Sequence, residues 1–418
     1  MTWYNCLSIA HAINGSLMCF IAFSCSALVL SSEIIAGEAP AEKTKVIVVP
    51  DGLSPRDGTA VIPCLPRDGD VWELVANDGQ HYQVLRCGDQ VGRVLLPKIN
   101  AETTFTVRPG ALSPTMFTVE QTPDQLRFLI ADREVIAFAG GRGALPDGYE
   151  ENYRRGGYLS RLSTPSGRLV TDDYPPNHKH HHSLWFSWTR ANYDQRPTDF
   201  WNMGKGDAGV QAINHTPAWT AGPWAGFSYR NRYHDNTSGA SIDVLEERIE
   251  VTMRTPLPQD PVVIIDLTIT QHCLTELPLQ LPTYTYGGLG LRGHRDWDGA
   301  ENATFLTSAG HDRKTGNFTR MNWVHMGGLV GGQPAGTAVL CHPNNFRAPQ
   351  PGRLHPKGPF FSFAPSQLGD WAITPGMPYQ MRYRLIIADG APETADLERR
   401  WQEYAHPLMV TWNGKLVR

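Results

Sequence analysis

The sequence predicts an all-β protein: a large antiparallel β-sandwich with a small N-terminal β unit and one C-terminal helix. Segments 246–254 and 262–271 alternate apolar and polar residues at period two, which is typical of half-buried antiparallel strands. Asp-Gly pairs, the first at Asp51-Gly52, punctuate the N-terminal part as hairpin signals. The only helix pattern is 391–404, with Pro392 near its start and acidic residues in its first turn. Many short strands with a single helix favour a sandwich.

Composition limits the classes of partner. The chain has 37 Lys and Arg against 41 Asp and Glu, a net charge of −4, and no basic run. Proteins that bind nucleic acid carry a basic surface, so we expect no nucleic acid as partner. The 40 Gly and 32 Pro are spread through the chain, which indicates frequent turns.

Residues 1–37 are predicted to be a signal peptide or an N-terminal anchor. The apolar stretch 17–32 carries no charge and is shorter than a bilayer span of about 20 residues. No Lys or Arg precedes it, so an uncleaved anchor stays open beside export to the periplasm or the extracellular space. The alternating strands elsewhere exclude a multi-span membrane protein. In an oxidising compartment Cys64, Cys87, Cys273 and Cys341 could form disulfides, although the sequence does not reveal their pairing.

Two folded regions are expected. Apolar runs between Asp-Gly turns predict a small β unit over 45–112, ending at Pro109-Gly110. The main domain, 115–407, begins with a predicted hairpin of 117–121 and 126–130. Its further predicted strands are 158–162, 169–171, 246–254, 262–271, 283–291, 337–340, 360–364 and 381–387.

The strongest functional signal is a histidine cluster. His178, His180, His181 and His182 follow a Pro-Pro pair and precede the aromatic strand Ser183–Trp188. Converging imidazoles can bind a divalent metal, transfer protons near neutral pH or bind sugar hydroxyls. The plainer alternative is backbone hydrogen bonding within a tight loop. The spacing is not that of a helical zinc motif, so the cofactor stays unknown; a divalent metal, if present, would be bound by His178, His180 and His181.

A second cluster follows the apolar strand that ends near Leu291. His294 and Asp296 could supply an acid/base pair, and Arg292 could clamp an anionic or polar ligand. The alternative is a charged hairpin tip.

A third group comprises predicted ligand-binding residues at strand ends. His342, Asn345 and Arg347 suit a polyhydroxylated or carboxylated ligand, although turn hydrogen bonding explains such residues equally well. Trp201 could stack on a sugar ring. Strand alternation places Trp185 and Trp188 on opposite faces, so at most one of these two faces a ligand.

Several of these stretches together resemble the bacterial PmoA family, whose members are named methane oxygenase PmoA and contain a domain of unknown function. The resemblance spans about residues 115–407 and rests on the pattern P-x-x-H-x-H-H-x-S-L-W-F at 175–186 and D-F-W at 199–201. Further matching segments are 322–324, 342–349 and 382–385. The family usually has Arg where this chain has His182, so the resemblance extends to His178, His180 and His181. It implies a galactose-mutarotase-like supersandwich, a fold shared by epimerases, glycoside hydrolases and polysaccharide lyases.

Three functions are compatible with these observations. The first is an exported carbohydrate-active enzyme that hydrolyses, eliminates or epimerises a sugar by acid/base chemistry at His180 and His181, with His294 and Asp296 as partners and His178, Arg292 or Arg347 binding the ligand. The second is a non-catalytic carbohydrate-binding envelope protein. The third is a metal-dependent oxygenase, as the family name implies. The expected partner is a carbohydrate or another small polar substrate.

Overall fold

Antiparallel strands form nearly all of the regular structure, as the sequence predicts. The computed structural model describes residues 43–48, 59–63, 71–76, 79–87, 91–96, 103–110, 114–141, 145–407, 409–412 and 415–417. The predicted signal peptide or anchor, residues 1–37, lies outside the described residues. None of the described helices is long and apolar enough to cross a membrane.

The described strands are, in chain order, β1 Lys43–Val48, β2 Thr59–Pro63, β3 Val71–Ala76, β4 His81–Cys87, β5 Val91–Leu95, β6 Thr103–Pro109, β7 Thr118–Thr122, β8 Gln125–Ile130, β9 Arg133–Ala139, β10 Tyr158–Leu162, β11 Leu184–Ser187, β12 Ala191–Tyr193, β13 Arg196–Thr198, β14 Ala208–His215, β15 Trp219–Ala221, β16 Trp224–Asp235, β17 Ile242–Arg254, β18 Val263–Cys273, β19 Leu279–Leu281, β20 Gly288–Arg292, β21 Ala303–Thr307, β22 Trp323–Val330, β23 Gln333–Cys341, β24 Gly352–Leu354, β25 Phe360–Phe363, β26 Trp371–Ile373, β27 Tyr379–Asp389, β28 Met409–Trp412 and β29 Lys415–Val417. The α-helix is α1 Thr394–Ala405. Short 3-10 turns occupy Glu151–Tyr153, Arg295–Trp297 and Pro365–Leu368.

The N-terminal strands form a sheet that also includes strands from the far end of the chain. Its order is β2-β5-β4-β3-β6-β1-β28-β29. Strand β1 pairs on one side with β6 and on the other with β28. The predicted boundaries of the small unit, 45–112, therefore omit two strands that complete its sheet.

Two large sheets carry the rest of the fold. The first, here called the site sheet, has the order β24-β25-β20-β11-β10-β9-β8-β7. The second, here called the long sheet, has the order β14-β16-β17-β18-β27-β23-β22-β21, with β15 paired to β16. The predicted hairpin is confirmed as β7 and β8, and the two alternating segments are confirmed as β17 and β18, which pair antiparallel. Four short strands form a small sheet in the order β13-β12-β19-β26.

The two faces of the site sheet pack against different groups of residues. Leu184 and Phe186 of β11 point into the core shared with the long sheet, whereas Trp185 belongs to a separate aromatic cluster on the outer face. Trp188 packs in the core, and its indole N–H donates to Gln271 Oε1 at 2.8 Å. The predicted separation of Trp185 and Trp188 is thus confirmed, because the side-chain direction alternates along a strand.

A buried polar network behind β11 links the two sheets. Glu247, on β17, accepts hydrogen bonds from Asn231 Nδ2 at 2.9 Å, Tyr233 Oη at 2.9 Å and Gln271 Nε2 at 2.6 Å. Burial raises the pKa of Glu247, although these three hydrogen bonds oppose the shift. The Tyr233 oxygen also lies 3.0 Å from the Phe186 carbonyl, a second acceptor within reach of its single proton, so the network contacts the strand that carries the site.

Two predicted strands differ from the structure. The segment 283–291 becomes a strand only from Gly288, because Gly287 and Gly288 have φ of 123° and 103°, values that interrupt a strand. The segment 169–171 makes only isolated bridges, at Leu169 and Thr171. The helix prediction is confirmed, with a start at Thr394 in place of 391. Cys273 and Cys341 are free thiols, and the placement of Cys64 lies outside the described residues.

Candidate functional site

The histidine loop folds tightly onto the outer face of the site sheet. The His178 amide donates to the Pro175 carbonyl at 2.9 Å, and the His181 amide donates to the His178 carbonyl at 2.9 Å. Tyr174, with φ of 50°, donates its amide to the His181 carbonyl at 3.0 Å and closes the loop. The side chains of this loop therefore gather directly before β11 begins at Leu184.

Four imidazoles lie next to one another, and we call His178, His180, His181 and His355 the imidazole cluster. The rings of His178 and His181 stack, with centroids 4.6 Å apart and an interplanar angle of 14°. The His180 ring meets His181 edge-on at 4.7 Å, and the His355 ring meets His178 edge-on at 5.4 Å. The structure thus brings together the three predicted histidines and adds one from the loop between β24 and β25.

The cluster rests on buried aromatic rings, and we call Trp185, Trp201 and Phe360 the aromatic floor. His181 stacks on Phe360 at 4.5 Å, and the indoles of Trp185 and Trp201 are 4.8 Å apart. Gly290 of β20 makes this packing possible, because a Cβ there would lie 2.7 Å from Trp201 and 2.9 Å from Trp185. Trp201 is 0% exposed, so it supports the site from below and does not present its ring to a ligand; this corrects its predicted stacking role.

His182, which follows the three clustered histidines of this loop, is part of the site. Its Nδ1 lies 2.9 Å from Asp173 Oδ1, and the Tyr158 hydroxyl donates to Asp173 Oδ2 at 2.8 Å. Since an ionised carboxylate only accepts, Nδ1 carries the proton and Nε2 is left with a lone pair. Burial lowers the pKa of His182, against the opposing effect of Asp173. The result is a neutral, oriented imidazole within the floor of the loop.

Arg292 extends from β20 towards the imidazole cluster. Its side chain is fully buried, and its Nη2 donates to Asp298 Oδ1 at 2.8 Å and Oδ2 at 2.9 Å. The Nε and Nη1 atoms are buried without a hydrogen-bond partner. The predicted clamp residue is therefore placed beside the histidines with donors left over.

The rim of the site is polar and half-buried. Asn202 Nδ2 lies 3.2 Å from the Tyr286 hydroxyl and 2.6 Å from Asp199 Oδ2. Asp199 also accepts the amides of Trp201 at 3.0 Å and Asn202 at 2.9 Å, which fixes its position. Burial lowers the pKa of His180, and the negative charge of Asp199 opposes that shift.

The imidazoles are neutral at neutral pH. Burial lowers the pKa of His180 to about 4, with His178 and His182 acting in the same direction. Burial likewise lowers the pKa of His355 to about 4, followed by His178 and three arginines. The pKa values of His178 and His181 are also lowered, chiefly by burial. Each ring thus retains one hydrogen-bond donor and one acceptor.

Unpartnered polar atoms concentrate in this part of the site sheet. Buried polar groups in proteins are normally hydrogen-bonded, so such a concentration indicates a place for water or a ligand. Each of these atoms is buried and has no hydrogen-bond partner among the described residues. They are Nδ1 of His178 and His181, Nε2 of His182, Nε1 of Trp185 and Trp201, Nε and Nη1 of Arg292, and the hydroxyls of Ser183 and Ser362.

The orientation of the histidine rings does not favour a metal ion bound by both His178 and His181. Because His178 and His181 stack nearly parallel, their in-plane lone pairs do not meet at one point. Within the described ranges, no group of three or more His, Cys, Asp or Glu side chains is arranged to hold a metal ion. A divalent metal on His178, His180 and His181 stays a prediction.

Two predicted catalytic residues lie apart from the cluster. His294 Nδ1 accepts the Asp296 amide at 3.2 Å as the cap of the 3-10 turn, and its ring contacts Trp297. The Asp296 side chain is 65% exposed. In the described part of the chain neither side chain contacts the imidazole cluster, which corrects the predicted partnership with His180 and His181. The turn that follows β20 directs these two side chains away while Arg292 stays on the sheet face.

The third predicted group serves the fold. Asn345 exchanges two 2.7 Å hydrogen bonds with the backbone of Arg382, and the His342 ring packs edge-on against Tyr404 of α1. Arg347 donates to the carbonyls of Pro365 at 2.8 Å and Gly369 at 2.7 Å. These contacts pin loops to β27 and to the small sheet, so the predicted ligand-binding role of His342, Asn345 and Arg347 is corrected to a structural one.

Two residues of the site were not predicted from the sequence: His355 and Asp199. His355 follows Leu354 in R-L-H-P and had no neighbouring histidine to draw attention to it. Asp199 was visible within the D-F-W segment, and its position two residues before Trp201 was the available signal. Long-range pairing of β11, β20 and β25 brings these segments together.

A separate cavity of about 270 Å³ lies beside the edge strand β14. It is lined by Arg154, Arg155 and His234 among others, and its described lining shares no residue with the imidazole cluster.

Comparison with known proteins gives a family and distant similarities to solved structures. The model of DUF6807, a family of unknown function, matches residues 125–402. No curated protein matches the chain. A solved structure titled putative kojibiose phosphorylase from human microbiome is similar at 8% identity and a TM-score of 0.29. The match covers 69% of this chain and 33% of that one, so this chain spans about a third of the length of that protein.

Proposed function

We propose that this chain, which belongs to the DUF6807 family of unknown function, is an exported carbohydrate-active enzyme. It would move a proton on its sugar substrate at the imidazole cluster. Export rests on the uncharged apolar stretch at 17–32. The activity rests on the site.

The concentration of unpartnered polar atoms above the aromatic floor supports a sugar ligand. A sugar hydroxyl both donates and accepts, and a neutral imidazole offers one of each. Half-buried His178, His180 and His355 offer these groups at the opening, and Asn202 with Tyr286 adds an amide and a hydroxyl. A polyhydroxylated ligand can satisfy several such groups at once, whereas an apolar ligand would leave them unpaired.

His180 is unprotonated at neutral pH, because burial lowers its pKa to about 4. The free ring can accept a proton, although this low pKa makes it a weak base. Asp199, whose negative charge opposes the lowering of the His180 pKa, would stabilise the imidazolium that then forms. His181, buried between His178 and Phe360, holds the cluster in place and contributes hydrogen bonding.

Proton abstraction fits the site better than hydrolysis by two carboxylates. Hydrolysis of that kind needs one carboxyl group as acid and another as base or nucleophile. Near the cluster, Asp173 is engaged by His182 and Tyr158, and Asp298 by Arg292. Asp199 accepts hydrogen bonds from the amides of Trp201 and Asn202 and from the Asn202 side chain. Among the predicted reactions, elimination and epimerisation therefore receive more support than hydrolysis.

A panel of sugars and oxidised sugars tests the proposal, with product formation followed by NMR. His180→Gln should lower kcat/KM on any turned-over substrate by about 100-fold or more, the usual contribution of a positioned base. His272→Gln is the matched control, because the His272 side chain on β18 is 42% exposed. Failure of the wild-type protein to bind or convert any panel member would sink the proposal, as would an unchanged rate in His180→Gln.

The same experiment separates the two rival functions. In a non-catalytic carbohydrate-binding protein, His180→Gln would weaken binding while no variant turned over any sugar. In the metal-dependent oxygenase that the PmoA resemblance implies, protein purified without chelator would contain stoichiometric copper or iron, and elemental analysis measures it directly.

A further inference from the structure

One end of the site is rich in hydrogen-bond donors. The buried Arg292 guanidinium uses Nη2 for Asp298 and keeps Nε and Nη1 without a protein partner. Because a guanidinium has no acceptor, both unused atoms can only donate. Buried N–H donors without an acceptor are costly, so a ligand atom that accepts these hydrogen bonds would be bound strongly.

The His355 ring lies beside the Arg292 guanidinium. A Cβ on Gly358 would lie 3.2 Å from both Arg292 Nη1 and His355 Nδ1, and 3.7 Å from Asp298 Oδ1. His355 Nδ1 accepts the Gly358 amide at 2.7 Å, so the proton of the neutral ring is on Nε2 and leaves a donor for a ligand.

Two further guanidiniums surround this end. Arg353 of β24 is half-buried, and its register partner is Ser362, whose buried hydroxyl has no partner in the described part of the chain. Arg313 donates from Nη1 to three backbone carbonyls, and its Nε and Nη2 are buried and unpaired. After burial and His178, the charges of Arg353, Arg292 and Arg313 are what lower the pKa of His355.

Negative charge at this end is limited. Both Asp298 oxygens already accept from Arg292, and Asp172 pairs with Arg295 at 2.8 Å. Arg292, Arg353 and Arg313 thus bring positive charge to the His355 end of the site, where Asp298 and Asp172 are engaged and Glu301 acts on Arg313. Such a region attracts an anionic group.

We propose that Arg292, Arg353 and His355 form a subsite for the carboxylate of an acidic sugar, a uronic acid or a uronate-containing oligosaccharide. The inference rests on the proposed function and names its substrate class. A carboxylate fits better than a sulfate because it also acidifies the neighbouring C–H bond, which the proposed base at His180 requires.

The step balances without a further reactant. The C–H bond beside the carboxylate breaks, its proton passes to a ring nitrogen of His180, and its electron pair delocalises into the carboxylate held by Arg292. In an epimerisation, a water molecule donates a proton to the opposite face of the carbanion, and the hydroxide left behind takes the proton from His180. Cleavage of the C–O bond one carbon further, with a proton taken up by the leaving oxygen, completes an elimination.

Matched pairs of sugars test the subsite by calorimetric titration at low salt. The pairs are D-glucuronate with D-glucose and D-galacturonate with D-galactose, and D-glucose 6-sulfate forms a separate arm. A charged hydrogen-bonded contact should make each uronate bind about tenfold or more tightly than its neutral partner. Arg353→Gln should reduce that preference about tenfold, and Arg353→Lys should retain part of it.

Arg248→Gln is the matched control, because this arginine is exposed on β17 of the long sheet. Arg292→Lys is a second variant whose folding is checked by circular dichroism. Equal affinity within each pair would overturn the carboxylate subsite and leave the proposed function standing. Preference for the 6-sulfate without preference for either uronate would also overturn it. Binding of none of these sugars would count against both proposals.

Discussion

His325 gives a quantitative prediction of how burial controls protonation in this protein. The ring lies on β22, is 6% exposed, and packs against Gly327 and Gly336, where a Cβ would lie 2.6 and 2.3 Å from ring atoms. Burial alone lowers the pKa of His325 from 6.5 to about 4. Above pH 6.5 the ring is neutral in both states, so it contributes no pH dependence there.

As pH falls through the window from 6.5 to about 4, the unfolded chain takes up a proton and the folded chain does not. The free energy of unfolding therefore decreases across this window, by roughly 3 kcal/mol in total for His325. Below the window both states are protonated and the loss stops.

Urea unfolding of wild type and His325→Gln at about pH 7 and about pH 4.5 measures the effect. The wild type should lose about 2 kcal/mol more than the variant between these two conditions, because the remaining histidines titrate in both proteins and cancel in the difference. His272→Gln, an exposed control, should follow the wild type. An equal loss in wild type and His325→Gln would refute the argument from burial.

Three further predictions concern the site. Gly290→Ala should destabilise the fold by about 1–3 kcal/mol in urea unfolding, since its Cβ would lie 2.7 Å from the buried Trp201 ring; unchanged stability would contradict the packing described. Asp173→Asn removes the charged acceptor of His182 Nδ1, so stability should fall by about 1.5–3 kcal/mol and the ¹⁵N shifts of the His182 ring should show a changed tautomer; retention of both would mean that the contact is dispensable. With the pKa of His180 lowered to about 4, kcat/KM should stay level from neutral pH down to about that value and fall only below it, and a decline that begins near pH 6.5 would argue against His180 as the base.

The fold was predictable because its signals are local. Period-two alternation identified β17 and β18, whose apolar faces alternate between core and surface. The long strands β14 and β16 gave no such clear signal, because polar residues such as Asn231 are buried in the network around Glu247. Burial of polar side chains depends on partners distant in sequence, which alternation cannot reveal.

The part of the site that has a local sequence signal was also predictable. Four histidines in five residues form a local signal, and His178, His180 and His181 do meet. His355 joins them through the pairing of β25 with β20, a contact between segments far apart in the chain. The direction of a side chain after a turn is equally hidden, and this is why Arg292 lies at the site whereas His294, two residues later, does not.

The pairing of β1 with β28 illustrates the limit for domain boundaries. Apolar runs and Asp-Gly turns located the N-terminal strands, but the sheet is completed by strands after α1. Nothing in the local pattern of 409–417 specifies a partner near residue 46. Such pairing is a property of the assembled sheets.

Solvent deuterium incorporation tests the central claim, proton abstraction at the imidazole cluster, most directly. Wild-type protein and His180→Gln would be incubated in D₂O with uronate-containing oligosaccharides, and the C–H beside each carboxylate would be followed by proton NMR. With wild type, we expect deuterium at that carbon or an unsaturated product that lacks the proton. With His180→Gln, the rate should be lower by about 100-fold or more. Glycosidic cleavage by wild type with that C–H fully retained, or equal exchange by the two proteins, would contradict the claim.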